Sequence, residues 1–123
     1  MNSITIITSL LIDSSISKEI IDGFPFSKKI VVDTQDELFL GKSPNEIILH
    51  FDEYYEPSST TCIFDDVLLT SIPFSPIYFN TLYFRNIDSA KYVISVLAKK
   101  YENILIFDED SNYFITTKEF LNK

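Results

Sequence analysis

The sequence predicts an α+β fold: a mixed or mostly antiparallel sheet with two helices on one face, possibly a ferredoxin-like variant. Two patterns predict it, a strand–helix–strand order near each end of the chain and a run of further short strands between them. The length of 123 residues fits one domain spanning residues 1–123. A domain of this size buries roughly two-thirds of the surface its unfolded chain exposes, so it needs no disulfide or metal to hold it. With 46% apolar and 15% aromatic residues, including eleven Phe and seven Tyr, the chain has the material for a packed core.

Taken in order, Ser3–Ile12 reads as a β-branched strand. Ser14 and Ser15 offer an N-cap for a short helix through Ile16, Ile20 and Ile21, which Gly23 ends. Phe24-Pro25-Phe26 is a turn whose aromatics must be buried or serve a partner. Lys28–Asp33 (KKIVVD) is a second strand, Asp36–Leu40 fits a helical turn or a strand, and Gly41–Asn45 is a turn around Pro44. Glu46–Phe51 is a third strand, Asp52–Thr61 a polar loop and Thr61–Ser71 a further strand region. Ile77–Arg85 alternates with period two, as a strand does. Ile87, Ala90, Val93, Ile94, Leu97, Ala98 and Tyr101 follow helical spacing, with Asn86 or Asp88 as cap and Lys99 and Lys100 in the last turn. Ile104–Phe107 and Tyr113–Thr116 form a hairpin around Asp108–Asn112, and Thr117–Leu121 a last helical turn.

The formal net charge is −8, and its placement carries more information than its size. Between Ile30 and Asp66 stand nine acids against the single base Lys42, while the rest of the chain has nine of each. Such a chain lacks the basic footprint of a DNA- or RNA-binding protein. Its field favours a basic protein partner, although acidity also serves plain solubility. The one cysteine, Cys62, makes no internal disulfide and fits a reducing compartment. The stretch Ile4–Ile12 is too short and too polar for a signal peptide or membrane span, so the expected location is the cytoplasm.

Catalytic templates fail on inventory. His50 is the only histidine, and it sits in an inferred strand, where a structural or exposed role is the expectation. Cys62, beside Ile63 and Phe64, reads as a small core residue. One His and one Cys make no zinc site. Asp108-x-Asp110-x-Asn112 starts like a calcium loop but has Tyr113 where the glycine belongs. Two glycines make no phosphate cradle. The expectation is a protein that is not an enzyme, with no cofactor and no metal.

The residues expected to bind a partner are carboxylates and tyrosines. In His50–Pro57, Asp52, Glu53 and Glu56 surround Tyr54 and Tyr55. Tyrosine supplies contact area at low entropic cost, and carboxylates pair with Arg and Lys of a partner. The competing reading packs both tyrosines at the edge of the core and leaves the acids solvated. Asp65, Asp66, Asp33, Asp36 and Glu37 extend the same negative face if their strands are neighbours, and otherwise form a solvated rim.

The stretch IDSAKYVISVLAKKYENILIFDEDSNYFI, about a quarter of the chain, has a strand-helix-strand-hairpin ending. With the short acidic chain around it, this resembles the immunity proteins of bacterial toxin–immunity pairs, such as contact-dependent inhibition and Rhs-type systems. The resemblance implies a cytoplasmic inhibitor that neutralises a cognate toxin, often a basic nuclease. It supplies no functional residue by motif. Two other classes compete with it: an acidic regulatory or nucleic-acid-mimic adaptor bound to a host nucleic-acid-binding protein, and a small hydrolase built on carboxylates or Cys62. The first shares the inhibitor's electrostatics, and the second requires a concave pocket with a perturbed acid or thiol.

Overall fold

A computed structural model describes residues 1–28, 30–51, 54–55, 70–108 and 113–123. The strands are β1 (Asn2–Thr8), β2 (Val31–Asp33), β3 (Glu37–Leu40), β4 (Ile47–His50), β5 (Tyr54–Tyr55), β6 (Ile77–Phe84), β7 (Ile104–Asp108) and β8 (Tyr113–Thr116). Among the described residues the full α-helices are α1 (Ser17–Gly23), α2 (Ile87–Lys100) and α3 (Thr117–Leu121). A 3-10 turn, Ser14–Ile16, leads into α1. The fold is α+β, and among the described residues every strand pairing is antiparallel.

The sheet runs β2-β3-β4-β6-β1-β7-β8, with β5 paired to β6 as well. Within that order, β4-β6-β1-β7 repeats the strand order and directions of a ferredoxin-like sheet. The hairpin β2–β3 extends this core on one side and β8 extends it on the other. β1 lies at the centre, with β6 and β7 paired along its two edges. Ile4 and Ile6 enter the main core, whereas Ile7 joins a second cluster with Ile72. Burial on both faces explains why this strand is a nearly continuous apolar run rather than an alternating one.

The main core lies between the sheet and the helices. Ile20 of α1, Ala90, Val93, Ile94 and Leu97 of α2, and Phe120 of α3 meet Leu38, Leu40, Ile47, Leu49 and Leu82 of the sheet. These three helices thus serve one cluster. The expected terminal turn is a helix with a capping box: Thr116 Oγ1 accepts the Glu119 N–H at 3.1 Å, and Glu119 Oε1 accepts the Thr116 N–H at 3.2 Å. Asn86 caps α2, accepting the Asp88 N–H at 3.0 Å.

Several sequence expectations need correction. The first strand ends at Thr8, not Ile12. Asp13, not a serine, caps the 3-10 turn, through the Ser15 N–H at 3.0 Å. That bonding from Ser15 holds the Asp13 carboxyl below its ordinary value. Ile87 is exposed, because the first residue of α2 stands beside Met1 and Phe84 at the rim of a cleft rather than over the sheet. Tyr54–Tyr55 is a strand rather than part of a loop, paired to Tyr78 and Ile77. Among the described residues, no helix is long and apolar enough to cross a membrane.

Gly23 closes α1, as expected. Gly41 is the glycine with positive φ; at Gly23 the constraint is space. A Cβ there would stand 2.6 Å from Tyr92 Oη, and that hydroxyl donates to the Ile20 carbonyl at 2.9 Å. Burial pushes the Tyr92 phenol above its ordinary value, which keeps it a donor. We expect Gly23→Ala to cost about 1–2 kcal/mol, despite alanine's better helix propensity, by forcing Tyr92 off α1. Chemical denaturation in wild-type and Tyr92→Phe backgrounds checks this: the cost shrinks when the hydroxyl is gone.

Candidate protein-binding site

The hairpin β2–β3 turns through Thr34, whose side chain fixes the turn. Thr34 Oγ1 accepts the N–H groups of Asp36 at 3.3 Å and Glu37 at 3.1 Å, and the Thr34 N–H donates to the Glu37 carbonyl at 2.9 Å. This hydroxyl-closed turn presents Asp36 to solvent. The Phe51 N–H then donates to the Asp36 carbonyl at 2.9 Å. The acidic turn is therefore tied to the point where the chain enters Asp52–Glu56. No spacing in the sequence shows this, because the pairing of β3 with β4 creates it.

Glu37 lies opposite His50 across β3 and β4, with Oε2 3.2 Å from His50 Nε2. His50 also meets Tyr83 edge to face, with ring centroids 5.4 Å apart. Both members of the Glu37–His50 pair are about 40% exposed, at 38% and 42% of their side chains. This histidine anchors an acid and an aromatic at the surface, in agreement with a structural or exposed role.

Asp33 is placed differently. It pairs with Leu38, a core residue, so its side chain leaves the sheet on the helix side, and Glu37 leaves on the opposite side. Glu46, counted among the acids of the middle third, is withdrawn from the surface. It is 5% exposed, and its Oε1 accepts from Arg85 Nε at 2.5 Å. Tyr54 and Tyr55 continue the edge of β6 beyond β4, but with a changed register. His50 faces Thr81 and Tyr54 faces Tyr78, so four steps on one strand match three on the other. Asp52, Glu53, Glu56, Asp65 and Asp66 lie outside the described residues, as do Cys62 and residues 109–112 of the calcium-like stretch.

One part of the surface escaped the sequence reading. Val32, Phe39, Ile48 and Tyr83 pair in succession across β2, β3, β4 and β6 on the face away from the helices. Val32 is exposed and the other three are half-buried. Next to this apolar row stand Glu37, His50 and Thr81. The signal was present: ELFL and IILH carry apolar residues on both faces, where a strand with one solvated face alternates. The far half of the same face is covered by Phe74, Ile77, Phe79, Phe107 and Phe114 around Ile7 and Ile72.

The rest of the surface is balanced. The helices carry Lys18, Lys91, Lys99, Lys100 and Lys118 against Glu19, Asp22, Asp88 and Glu119. A cleft of about 540 Å³ at the start of α2 is lined by Arg85, Asp108 and Lys123 among others, with Arg85 paired to Glu46 and Lys123 to Asp108. Among the described residues no group of three His, Cys, Asp or Glu side chains could hold a metal ion. No protein-family model matches the chain, and neither the curated proteins nor the solved structures contain a match to it.

Proposed function

We propose that this protein is a non-enzymatic inhibitor that binds one basic protein in the cytoplasm, as an immunity protein neutralises its cognate toxin domain, here one of nuclease type. The observation that supports this reading is the Phe51–Asp36 hydrogen bond. It sets Asp36 and Glu37 beside Phe51, after which Asp52, Glu53, Tyr54, Tyr55 and Glu56 follow in the sequence. Next to Glu37 lies the apolar row Val32–Phe39–Ile48–Tyr83. A partner's Lys and Arg would pair with the acids, while its apolar side chains cover the row. An apolar centre inside a charged rim is the usual anatomy of a protein interface. The acids would speed encounter with a positive surface and occupy groups that otherwise hold phosphates.

Two charge-reversal variants test the reading against a purified basic partner. Asp36→Lys with Glu37→Lys removes the described part of the acidic face, and Asp52→Lys, Glu53→Lys and Glu56→Lys together remove the adjoining segment. Each set is expected to weaken binding by at least tenfold, mainly through slower association, with the melting temperature little changed. Unchanged affinity in both sets would remove this face from the interface.

A further inference from the structure

We propose that the cleft at the start of α2 is a binding site for a small organic carboxylate with an apolar body, gripped by the terminal nitrogens of Arg85. The cleft has a volume of about 540 Å³ and lies where the starts of β1 and α2 meet the ends of β6 and β7 and the last residues of the chain. That size is typical of small-molecule sites. Glu46, which holds Arg85, precedes β4, whereas the Phe51–Asp36 bond follows it, so the cleft is separate from the acidic face.

Two departures from ordinary packing converge on this cleft. The first is Glu46, whose buried carboxylate accepts from Arg85 Nε through Oε1, while Oε2 has no hydrogen-bond partner among the described residues. Burying a carboxylate with one oxygen unpaired costs stability, and an apolar side chain would fill the same place at less cost. What the carboxylate does achieve is to fix an arginine by its inner nitrogen. Arg85 lines the cleft, and among the described residues its two Nη groups have no partner. The next residue braces the same frame: Asn86 Nδ2 donates to Asn45 Oδ1 at 2.7 Å, and Asn86 Oδ1 caps α2. The second departure is Ile87, exposed at the cleft although Ala90, Val93, Ile94 and Leu97 of the same helix are buried. Departures of this kind gather where a protein binds something rather than where it only folds.

The ligand class follows from the groups present. The free end of a guanidinium is a planar fork that matches a carboxylate with two parallel charge-assisted bonds. The positive end of the α2 dipole adds to the attraction. The remaining charges select a monoanion. Lys123 on the cleft is paired with Asp108, and Glu46 offsets Arg85, so these side chains leave no positive excess for a dianion such as phosphate. Phe84, Ile87 and Phe120 supply an apolar wall for the ligand's body.

Titration of the ¹⁵N-labelled chain with phenylacetate, followed by NMR, tests this. Saturable shifts are expected at Ser3, Arg85 and Ile87, with a Kd of roughly 1–10 mM for so small a probe. Acetate is expected to bind at least about tenfold more weakly, and phenethylamine, with a similar body and the opposite charge, not at all. Arg85→Lys keeps a cation beside Glu46 but loses the fork, and is expected to weaken binding by about tenfold. Ile87→Asp suits the first turn of a helix, so the melting temperature should hold while binding falls by at least about tenfold. No saturable shift at the cleft overturns the proposal, as does equal binding of phenethylamine or wild-type affinity in Arg85→Lys. Acetate binding as tightly as phenylacetate, or undiminished binding by Ile87→Asp, overturns the apolar part of the site.

Discussion

Phe120→Ala lowers the unfolding free energy by about 3–5 kcal/mol, the largest loss expected of any single truncation considered. Phe120 is 1% exposed and belongs to the main core cluster. α3 is only five residues long, too short to persist without tertiary packing. Its capping box fixes where it starts, but the phenyl ring anchors it in the core it shares with Ile115, Ile106 and α2. Without the ring, a cavity opens and α3 loses its buried contact. Urea denaturation checks this, with a lower midpoint and an unchanged slope expected. A midpoint near that of wild type would mean that α3 is not docked as described.

Gly41→Ala is expected to cost about 2–6 kcal/mol, although it adds a single methyl group. Two independent effects act together. Gly41 has φ +103°, a backbone conformation that costs a residue with a Cβ about 1–3 kcal/mol. The new Cβ would also stand 3.1 Å from the Phe24 ring and 3.3 Å from Glu46 Cα, crowding worth about 1–3 kcal/mol. Phe24 is itself held edge to face by Phe26 and Tyr92, so it has little room to withdraw. The Gly41 N–H holds the Ile30 carbonyl, and the strain should therefore loosen β2 first. Hydrogen exchange is expected to accelerate at Val32 and Gly41 before it does so in β1. Wild-type stability in this variant would contradict the conformation assigned to the turn.

The fold was legible where periodicity was long. Ile77–Phe84 alternates over eight residues, and Ile87–Lys100 repeats over fourteen, so tertiary context had little to override. The hairpin of β7 and β8 was legible because a polar turn separates two apolar runs. Short elements were not. Glu37–Leu40 fits either period, and only its bonds to β2 and β4 make it a strand. Tyr54–Tyr55 is a strand through its pairing with β6. Gly23 was legible as the end of α1, but the close approach of Tyr92, 69 residues on in the chain, was not. For the candidate site, residue types were readable and adjacency was not. Asp36, Glu37 and Phe51 meet through sheet pairing, Asp33 turns to the other face, and Glu46 leaves the surface to pair with Arg85. Charge counting cannot separate such cases, since a buried paired acid and an exposed one contribute equally to −8.

The proposed inhibitor binds one basic protein through its acidic and aromatic face and silences it. Affinity capture with the tagged chain in lysate of its native host, loaded at low salt and eluted by rising salt, tests this most directly. The expected result is a stoichiometric basic protein carrying a toxin domain, whose toxicity disappears when the wild-type chain is added back. The charge-reversed chain should fail to silence it. The absence of any such partner, in a lysate shown to contain the products of the neighbouring genes, would contradict the account.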